Sequence, residues 1–225
     1  MTVQGEGPSV GRRCAFLRLG GCNLSCSWCD TPYTWDWTGV SDTGVAHNPA
    51  TELTAMPWPE VLEKLQNFRV PMIVVSGGEP LNQQKRLIPL VRALRETGKR
   101  VEIESNGTVI PSPELIDAGV HFNVSPKLSH SGDSEKRRLV PGALKAFVSA
   151  PDVDFKFVCR DHADLDEVSA VVEKYGMSSV WIMPEGRNSD DVQRHLSALG
   201  DEVVIRGWNL TTRLHVAVWG EKRGV

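Results

Sequence analysis

Short runs of β-branched and aromatic residues are spaced along this chain at intervals filled by helical patterns and loops, and that rhythm restricts the fold more than any other feature. The runs lie at 14–19, 72–76, 101–105, 120–124, 154–158, 180–183, 203–206 and 214–219. Between them, apolar residues fall three and four apart, the spacing that lines one face of a helix. The stripes are Val61, Leu62, Leu65 and Phe68; Leu87, Leu90, Val91 and Leu94; Leu165, Val168, Val171 and Val172; and Val192, Leu196 and Leu199. Gly98, Gly176 and Gly200 follow the last three stripes, where a helix commonly ends in a left-handed residue. Strand and helix in alternation predict an α/β fold with largely parallel strands, because a parallel neighbour needs a long crossover.

Two stretches interrupt the rhythm, 33–57, rich in Thr, Trp, Asp and Gly, and 125–142. Loops of that length are usually lids or mobile segments. The charge run 133–138 inside the second reads as a solvated turn. With 225 residues and no linker, repeat or low-complexity tract, residues 1–225 are expected to form a single catalytic domain. The net charge of −3, from 25 basic and 28 acidic residues dispersed along the chain, argues against nucleic acid or an anionic membrane as partner and for a small-molecule substrate. No apolar run has the length of a membrane span and the first residues lack a signal peptide's regions, so a cytoplasmic location is expected. Only three residues precede Gln4-Gly5-Glu6-Gly7, too few for a full leading strand, which points to a natural start upstream of Met1.

Five cysteines is an odd number, and three of them, Cys22, Cys26 and Cys29, fall within eight residues. That grouping suits metal ligation in a reducing compartment better than a disulfide framework. The C-x-x-x-C-x-x-C spacing lets three thiolates of one loop hold three irons of a cubane cluster and leaves the fourth iron without a protein ligand. A zinc site lacking a recognisable fourth ligand, or a chance grouping of buried cysteines, is the plainer alternative. Cys14 and Cys159 each sit in a β-like run and read as small buried hydrophobes.

Ser76-Gly77-Gly78-Glu79-Pro80 closes the run at 72–76; its glycines let backbone approach a ligand, and Glu79 offers a carboxylate for an ammonium group. Glu104-Ser105-Asn106-Gly107, Ser125-Pro126-Lys127 and Pro184-Glu185-Gly186 also follow run ends. In a parallel α/β barrel those ends share one rim, so the loops argue for one pocket. A plain turn is the alternative for Asn106-Gly107. Arg18 shares a strand face with Cys14 and Phe16 and aims either into the barrel mouth or out to solvent. Glu6, between two glycines, is either a ligand-binding group or a turn residue.

The cysteine loop followed by Gly77-Gly78-Glu79 resembles the radical S-adenosylmethionine (SAM) superfamily, in which SAM chelates the open iron and an electron from the cluster releases a 5′-deoxyadenosyl radical. The resemblance is narrowed by Gln4-Gly5-Glu6-Gly7, by Phe16-Leu17-Arg18-Leu19-Gly20-Gly21-Cys22-Asn23-Leu24, by Cys29-Asp30-Thr31 and by Gly77-Gly78-Glu79-Pro80-Leu81. Glu104-Ser105-Asn106-Gly107-Thr108, Val124-Ser125-Pro126-Lys127, Lys156-Phe157-Val158 and Leu214-His215 extend it over nearly the whole chain. Together these motifs resemble the 7-carboxy-7-deazaguanine synthases of queuosine and 7-deazapurine biosynthesis.

That resemblance implies a modified, incomplete (β/α) barrel and a carbon–nitrogen lyase that converts 6-carboxy-5,6,7,8-tetrahydropterin to 7-carboxy-7-deazaguanine with loss of ammonia. It implies a [4Fe-4S] cluster, SAM and Mg²⁺ as cofactors, an electron donor such as flavodoxin or ferredoxin, and a homodimer. By matching position it assigns Cys22, Cys26 and Cys29 to the cluster and Thr31 to magnesium. Val3, Gln4, Gly5, Glu6, Arg18, Ser76 and His215 fall to the substrate. Trp28, Cys29, Asp30, Gly78, Glu79, Ser125, Pro126, Lys127, Met183, Pro184, Glu185 and Gly186 fall to SAM. Arg18 can pair bidentately with a substrate carboxylate, and Glu6 can accept paired hydrogen bonds from an aminopyrimidine edge. Loop 33–57 would help exclude water and oxygen from a radical.

Three positions depart from the pattern: the short lead before Gln4, Ser76 where a threonine is expected, and a tail beyond His215 that leaves Val225 without the substrate contact a terminal carboxylate makes in some relatives. Two other readings share part of the motif set. An activase of a glycyl-radical enzyme would need the cluster and SAM loops but not Gln4-Gly5-Glu6-Gly7 with Arg18. A non-enzymatic zinc- or cluster-binding module would need the cysteines alone.

Overall fold

A computed structural model describes residues 1–220 and 222–224; Val225 lies outside the described residues. Its eight-stranded sheet runs in strict chain order. The strands are β1 (Thr2–Val3), β2 (Arg13–Leu19), β3 (Met72–Gly77), β4 (Arg100–Ser105), β5 (His121–Val124), β6 (Val153–Cys159), β7 (Val180–Pro184) and β8 (Asn209–Leu210). β1 pairs antiparallel with β2, and every later pair is parallel. α1 (Pro49–Glu52) and α2 (Trp58–Asn67) lead from β2 to β3, α3 (Gln84–Glu96) to β4 and α4 (Pro113–Asp117) to β5. α5 (Glu135–Arg138) and α6 (Pro141–Val148) lead to β6, α7 (His162–Tyr175) to β7, and α8 (Ser189–Ile205) to β8, with α9 (Leu214–Trp219) last. The expected α/β architecture with largely parallel strands is what the chain adopts.

Alternation along the strands divides two chemistries. One face carries Ile73, Val75, Val101, Ile103, Val124, Phe155 and Phe157, all fully buried against the helical stripes. Leu87, Leu90, Val91 and Leu94 of α3 and Leu165, Val168 and Val171 of α7 complete that layer. Phe122 meets Phe147 of α6 edge to face, centroids 5.4 Å apart, and burying each such ring contributes roughly 1.5–3 kcal/mol. The opposite face carries Cys14, Phe16, Met72 and Val74 at one side, and Glu102, Glu104, His121, Asn123, Asp154 and Lys156 at the other. Helix ends follow local chemistry: Asp161 caps α7 by accepting from Asp164 N at 3.0 Å, and Gly176 closes it at φ +68°.

The sheet does not close, since β1 and β8 are its two edges. The chain on either side bridges the gap: Leu214 N donates to Gly5 O at 2.8 Å and Thr211 Oγ1 to Gly7 O at 3.4 Å.

Two expected strands are helices. Residues 203–206 are the end of α8, because Val203 extends the stripe of Val192 and Leu199 by one more turn. Val204 and Ile205, whose β-branched side chains suggested a strand, are 74% and 77% exposed, so packing of the stripe overrides propensity. Gly200 accordingly lies inside α8 and does not end it. Residues 214–219 form α9, which buries Val216. The last strand is the two-residue β8, too short and exposed to be seen in the sequence.

Candidate active site

At the carboxyl ends of the parallel strands a cavity of about 900 Å³ opens, at the upper end of the size usual for ligand sites. Val3, Gln4, Gly5, Glu6, Arg18, Ser76 and His215 line it, as do Cys22, Cys26, Trp28, Cys29, Asp30 and Thr31. Gly78, Ser125, Lys127, Met183 and Glu185 complete the expected residues found there. Glu79, Pro126, Pro184 and Gly186, also expected at SAM, do not line it.

Cys22, Cys26 and Cys29 are free thiols on the loop between β2 and α1. Burial pushes the Cys22 thiol up to about 11 and the Cys26 thiol up to about 12, so a cation is what these sulfurs need to ionise. N–H donors already point at two of them: Trp35 Nε1 lies 3.3 Å from Cys29 Sγ and Asn106 Nδ2 lies 3.8 Å from Cys22 Sγ. Three thiols on one cavity wall, with donors aimed at sulfur, fit an iron–sulfur cluster.

The loop is clamped from three sides. Asn106 donates to Asn23 Oδ1 at 3.0 Å, and Thr108 Oγ1 accepts from Asn23 Nδ2 at 2.7 Å, so Asn106-Gly107 is a tie to the cysteine loop as well as a turn. Arg187 Nη2 donates to Cys29 O at 3.1 Å. The charge run 133–138, expected to be solvated, supplies the third clamp. Asp133 and Arg138 are only 7% and 6% exposed. Asp133 accepts from Ser25 N at 2.9 Å and pairs with Arg137, which donates to Asn23 O at 2.7 Å. Arg138 is buried because Lys127 O and Glu167 accept its protons at 2.9 and 2.8 Å.

The glycine turn works differently from the sequence reading. A Cβ on Gly77 would overlap Leu19 O, and one on Gly78 would overlap Gly21 O. The glycines therefore admit the backbone of the cysteine loop, which is stitched on by Gly78 N to Leu19 O at 2.9 Å and Glu79 N to Gly21 O at 2.8 Å. Glu79, expected to hold an ammonium group, is fully buried and turned away. It accepts from Leu81 N at 3.0 Å, Ser105 Oγ at 3.0 Å and Asn106 N at 2.6 Å, while burial pushes its carboxyl up.

Loop 33–57 forms a wall, with Tyr33, Trp35, His47 and Leu53 on the cavity. Its turn is organised by Asp36, whose carboxylate accepts from Gly39, Val40 and Ser41 N at 2.8–3.0 Å. Although burial opposes ionisation, those N–H groups hold the carboxyl well below the usual carboxylate range.

Across the cavity runs a chain of alternating charge. Glu104 accepts from Gln4 Nε2 at 3.0 Å and Ser76 Oγ at 2.7 Å, and lies 3.9 Å from Lys156 Nζ. Lys156 donates to Glu6 at 2.6 Å; Arg213 donates to Glu6 at 3.2 Å and also bonds Asp30 and Gly186 O. Burial alone would raise the Glu6 carboxyl, but Lys156, Arg213 and His215 overcome it and hold Glu6 below the carboxylate range. Burial likewise works against the Lys156 ammonium, and Glu6 with Glu104 outweigh it. Arg18 stands apart: it lines the cavity beside the Phe16 ring and makes no ion pair or hydrogen bond among the described residues.

Sequence reasoning gave no role to Lys156, Glu104, Arg187 or Arg213. For Lys156 the signal was present, since Asp-Phe-Lys-Phe at 154–157 alternates charge with aromatic rings. Arg213 had none, as its partners lie at the other end of the chain. Glu6, Asp30 and His215 bring ligand atoms within 4.8 Å of one another, yet the cation among them is Arg213, bonded to both carboxylates. The Thr31 hydroxyl remains open to the cavity, 3.7 Å from Cys29 Sγ. Trp28 Nε1 is buried without a partner, and Lys127 Nζ sits 5.6 Å from its ring, a polar and cationic corner that suits an amino acid with a nucleoside. Cys14 and Cys159 are fully buried, as expected. No helix of the described residues is long and apolar enough to cross a membrane.

Residues 17–199 match the radical SAM superfamily. The chain is 36% identical, over 99% of its length and 93% of the other's, to 7-carboxy-7-deazaguanine synthase of Pyrobaculum aerophilum. It is 34% identical to that of Hyperthermus butylicus, over 96% and 89% of the two chains, and 30% identical to that of Bacillus subtilis, over 100% and 95%. In fold it is similar to the crystal structure of QueE from Escherichia coli, with a TM-score of 0.70, 24% identity and coverage of 95% and 91%.

Proposed function

Because this chain belongs to the radical SAM superfamily and, within it, to the 7-carboxy-7-deazaguanine synthases, we propose that it converts 6-carboxy-5,6,7,8-tetrahydropterin to 7-carboxy-7-deazaguanine with release of ammonia. Arg18 carries this reading: a guanidinium on the wall of a cavity whose acids already have cations, itself without an ion pair among the described residues, awaits an anion. A planar guanidinium matches a carboxylate bidentately. Glu6 and Glu104, paired with Lys156 and Arg213, offer acceptors to the N–H groups of a pterin. Gln4, Ser76 and His215 surround the same ring, and Val3 and Gly5 contribute backbone. Neither a glycyl-radical activase nor a metal-binding module has a use for this set.

When bound, the [4Fe-4S] cluster and SAM supply the 5′-deoxyadenosyl radical that takes the hydrogen from C6 of the substrate. Cys22, Cys26 and Cys29 would hold the cluster. Trp28, Asp30, Gly78, Ser125, Lys127, Met183 and Glu185 would hold SAM, with Lys127 facing its carboxylate. Mg²⁺ would take the Thr31 hydroxyl, a hard oxygen donor, and would draw its further ligands from water and substrate oxygens. The Asp30 side chain pairs with Arg213 on the same cavity. We further propose a single catalytic domain over 1–225, a homodimer, a flavodoxin- or ferredoxin-type reductant, and a cytoplasmic enzyme, the last consistent with five free cysteines.

Anaerobic incubation of the reconstituted protein with SAM, reductant, Mg²⁺ and the carboxytetrahydropterin tests the reading. Formation of 7-carboxy-7-deazaguanine and ammonia is expected; SAM cleavage without either product would refute it.

A further inference from the structure

A carboxamide buried in a protein nearly always finds partners for both its N–H₂ and its C=O. Asn123 does not. It is 1% exposed, and neither Nδ2 nor Oδ1 has a hydrogen-bond partner among the described residues. It stands on the inner face of β5, in register with Glu104 on β4 and Asp154 on β6, and lines the cavity. Among the described residues, the side-chain atoms buried without a partner include only one other cavity-lining group, Trp28 Nε1. Gly7 packs directly over the amide: a Cβ there would lie 2.7 Å from Asn123 Nδ2, and φ is +67°, so position 7 admits no side chain against it.

We infer that Asn123 is a substrate-binding residue that reads the lactam edge of the pterin, the ring C=O beside its N–H; the inference rests on the pterin reading above. A primary amide presents a donor and an acceptor side by side, the complement of a lactam. The other carboxamides on the cavity, Gln4 and Asn106, are already engaged: Gln4 donates to Glu104 and accepts from Glu6 N, and Asn106 donates to Asn23 and accepts from Thr108. Glu6 and Glu104 only accept, Lys156 only donates, and these three are bound to one another or to Gln4, Ser76 and Arg213. They hold a ring in place but do not separate a 4-oxo ring from one that carries hydrogen at C4. Asn123 does, because without the ring C=O and its neighbouring N–H half of the buried amide is left unpaired.

The test compares binding of 6-carboxypterin and its analogue without the 4-oxo group, 2-aminopteridine-6-carboxylate, to the full-length, anaerobically reconstituted protein, followed by pteridine fluorescence. The wild type should prefer the 4-oxo ligand. N123L should lose that preference by roughly 10- to 100-fold, as two neutral hydrogen bonds are removed. N123D, nearly isosteric but an acceptor only, can pair with the ring N–H and not with the ring C=O, and should lower the preference as well. The ratio of the two affinities is internal to each variant, so lowered stability alone does not move it. An unchanged ratio in both variants overturns the role of Asn123 while leaving the pterin reading intact. Failure of the wild type to bind either ligand overturns the pterin reading and the inference with it.

Discussion

Within β6, Phe155 and Phe157 point toward the helices and are fully buried among apolar side chains, whereas Asp154 and Lys156 point the other way, into the barrel. The four residues are consecutive, and Lys156 is nearly as buried as its aromatic neighbours. On the outer face, burial itself stabilises, at about 25 cal/mol per Å² of apolar surface. On the inner face, burial penalises charge, and the network from Glu104 to Asp30 offsets the penalty by alternating sign. One face of the sheet holds the fold together, and the other keeps ionised groups ready for a polar ligand.

The largest effect that separates the faces is expected at Phe157. Phe157→Ala should lower unfolding free energy by about 3–5 kcal/mol in a urea titration, while the folded protein binds substrate as before. A large loss of affinity with little loss of stability would erase the distinction. Arg18→Ala should do the reverse: substrate KM rises by about 30- to 100-fold, as for a lost charge-assisted pair of ~2–3 kcal/mol. Stability and uncoupled SAM cleavage should stay unchanged, since Arg18 has no partner among the described residues to leave behind. Unaltered KM would remove Arg18 from the site.

A pH series sharpens the inner face further. The Glu6 carboxyl is depressed, so its contribution is complete above the ordinary value of 4.5 and is lost as pH falls below it. The Lys156 ammonium is raised, so its contribution is complete below 10.5 and lost as pH rises through its folded value. Glu6→Gln should therefore flatten the acid limb of the stability profile and bring the alkaline limb to lower pH, since Glu6 is also what raises Lys156; an unchanged acid limb would assign that loss elsewhere. The smallest effect is expected at Ser76, whose hydroxyl donates to Glu104 at 2.7 Å. Ser76→Thr keeps that donor and should alter kcat/KM by no more than about twofold, within the ~1 kcal/mol range of strand substitutions.

The outer face was legible in the sequence because apolar periodicity records it directly, and six of the eight strands followed from it. The stretches 203–206 and 214–219 misled because a β-branched run is also the end of a helix when its stripe continues, as Val203 continues that of Leu199. The cysteine loop was legible because its chemistry lies in local spacing. Arg213 was not: its partners Glu6 and Asp30 are 207 and 183 residues away, and only the closing of the sheet's gap brings them together. Asp133 hid in a run of charges, and Glu79 looked like a ligand because a buried carboxylate that braces a turn has the same sequence as one that meets substrate.

The most direct test of the site as a whole uses 6-carboxytetrahydropterin carrying deuterium at C6, turned over anaerobically by the reconstituted protein. If the cavity holds the pterin against SAM as proposed, deuterium from C6 enters the 5′ position of 5′-deoxyadenosine and of recovered SAM, because the conversion is redox-neutral and the hydrogen taken is returned, and 7-carboxy-7-deazaguanine forms. Unlabelled 5′-deoxyadenosine, formed at the same rate with and without the pterin, would contradict it.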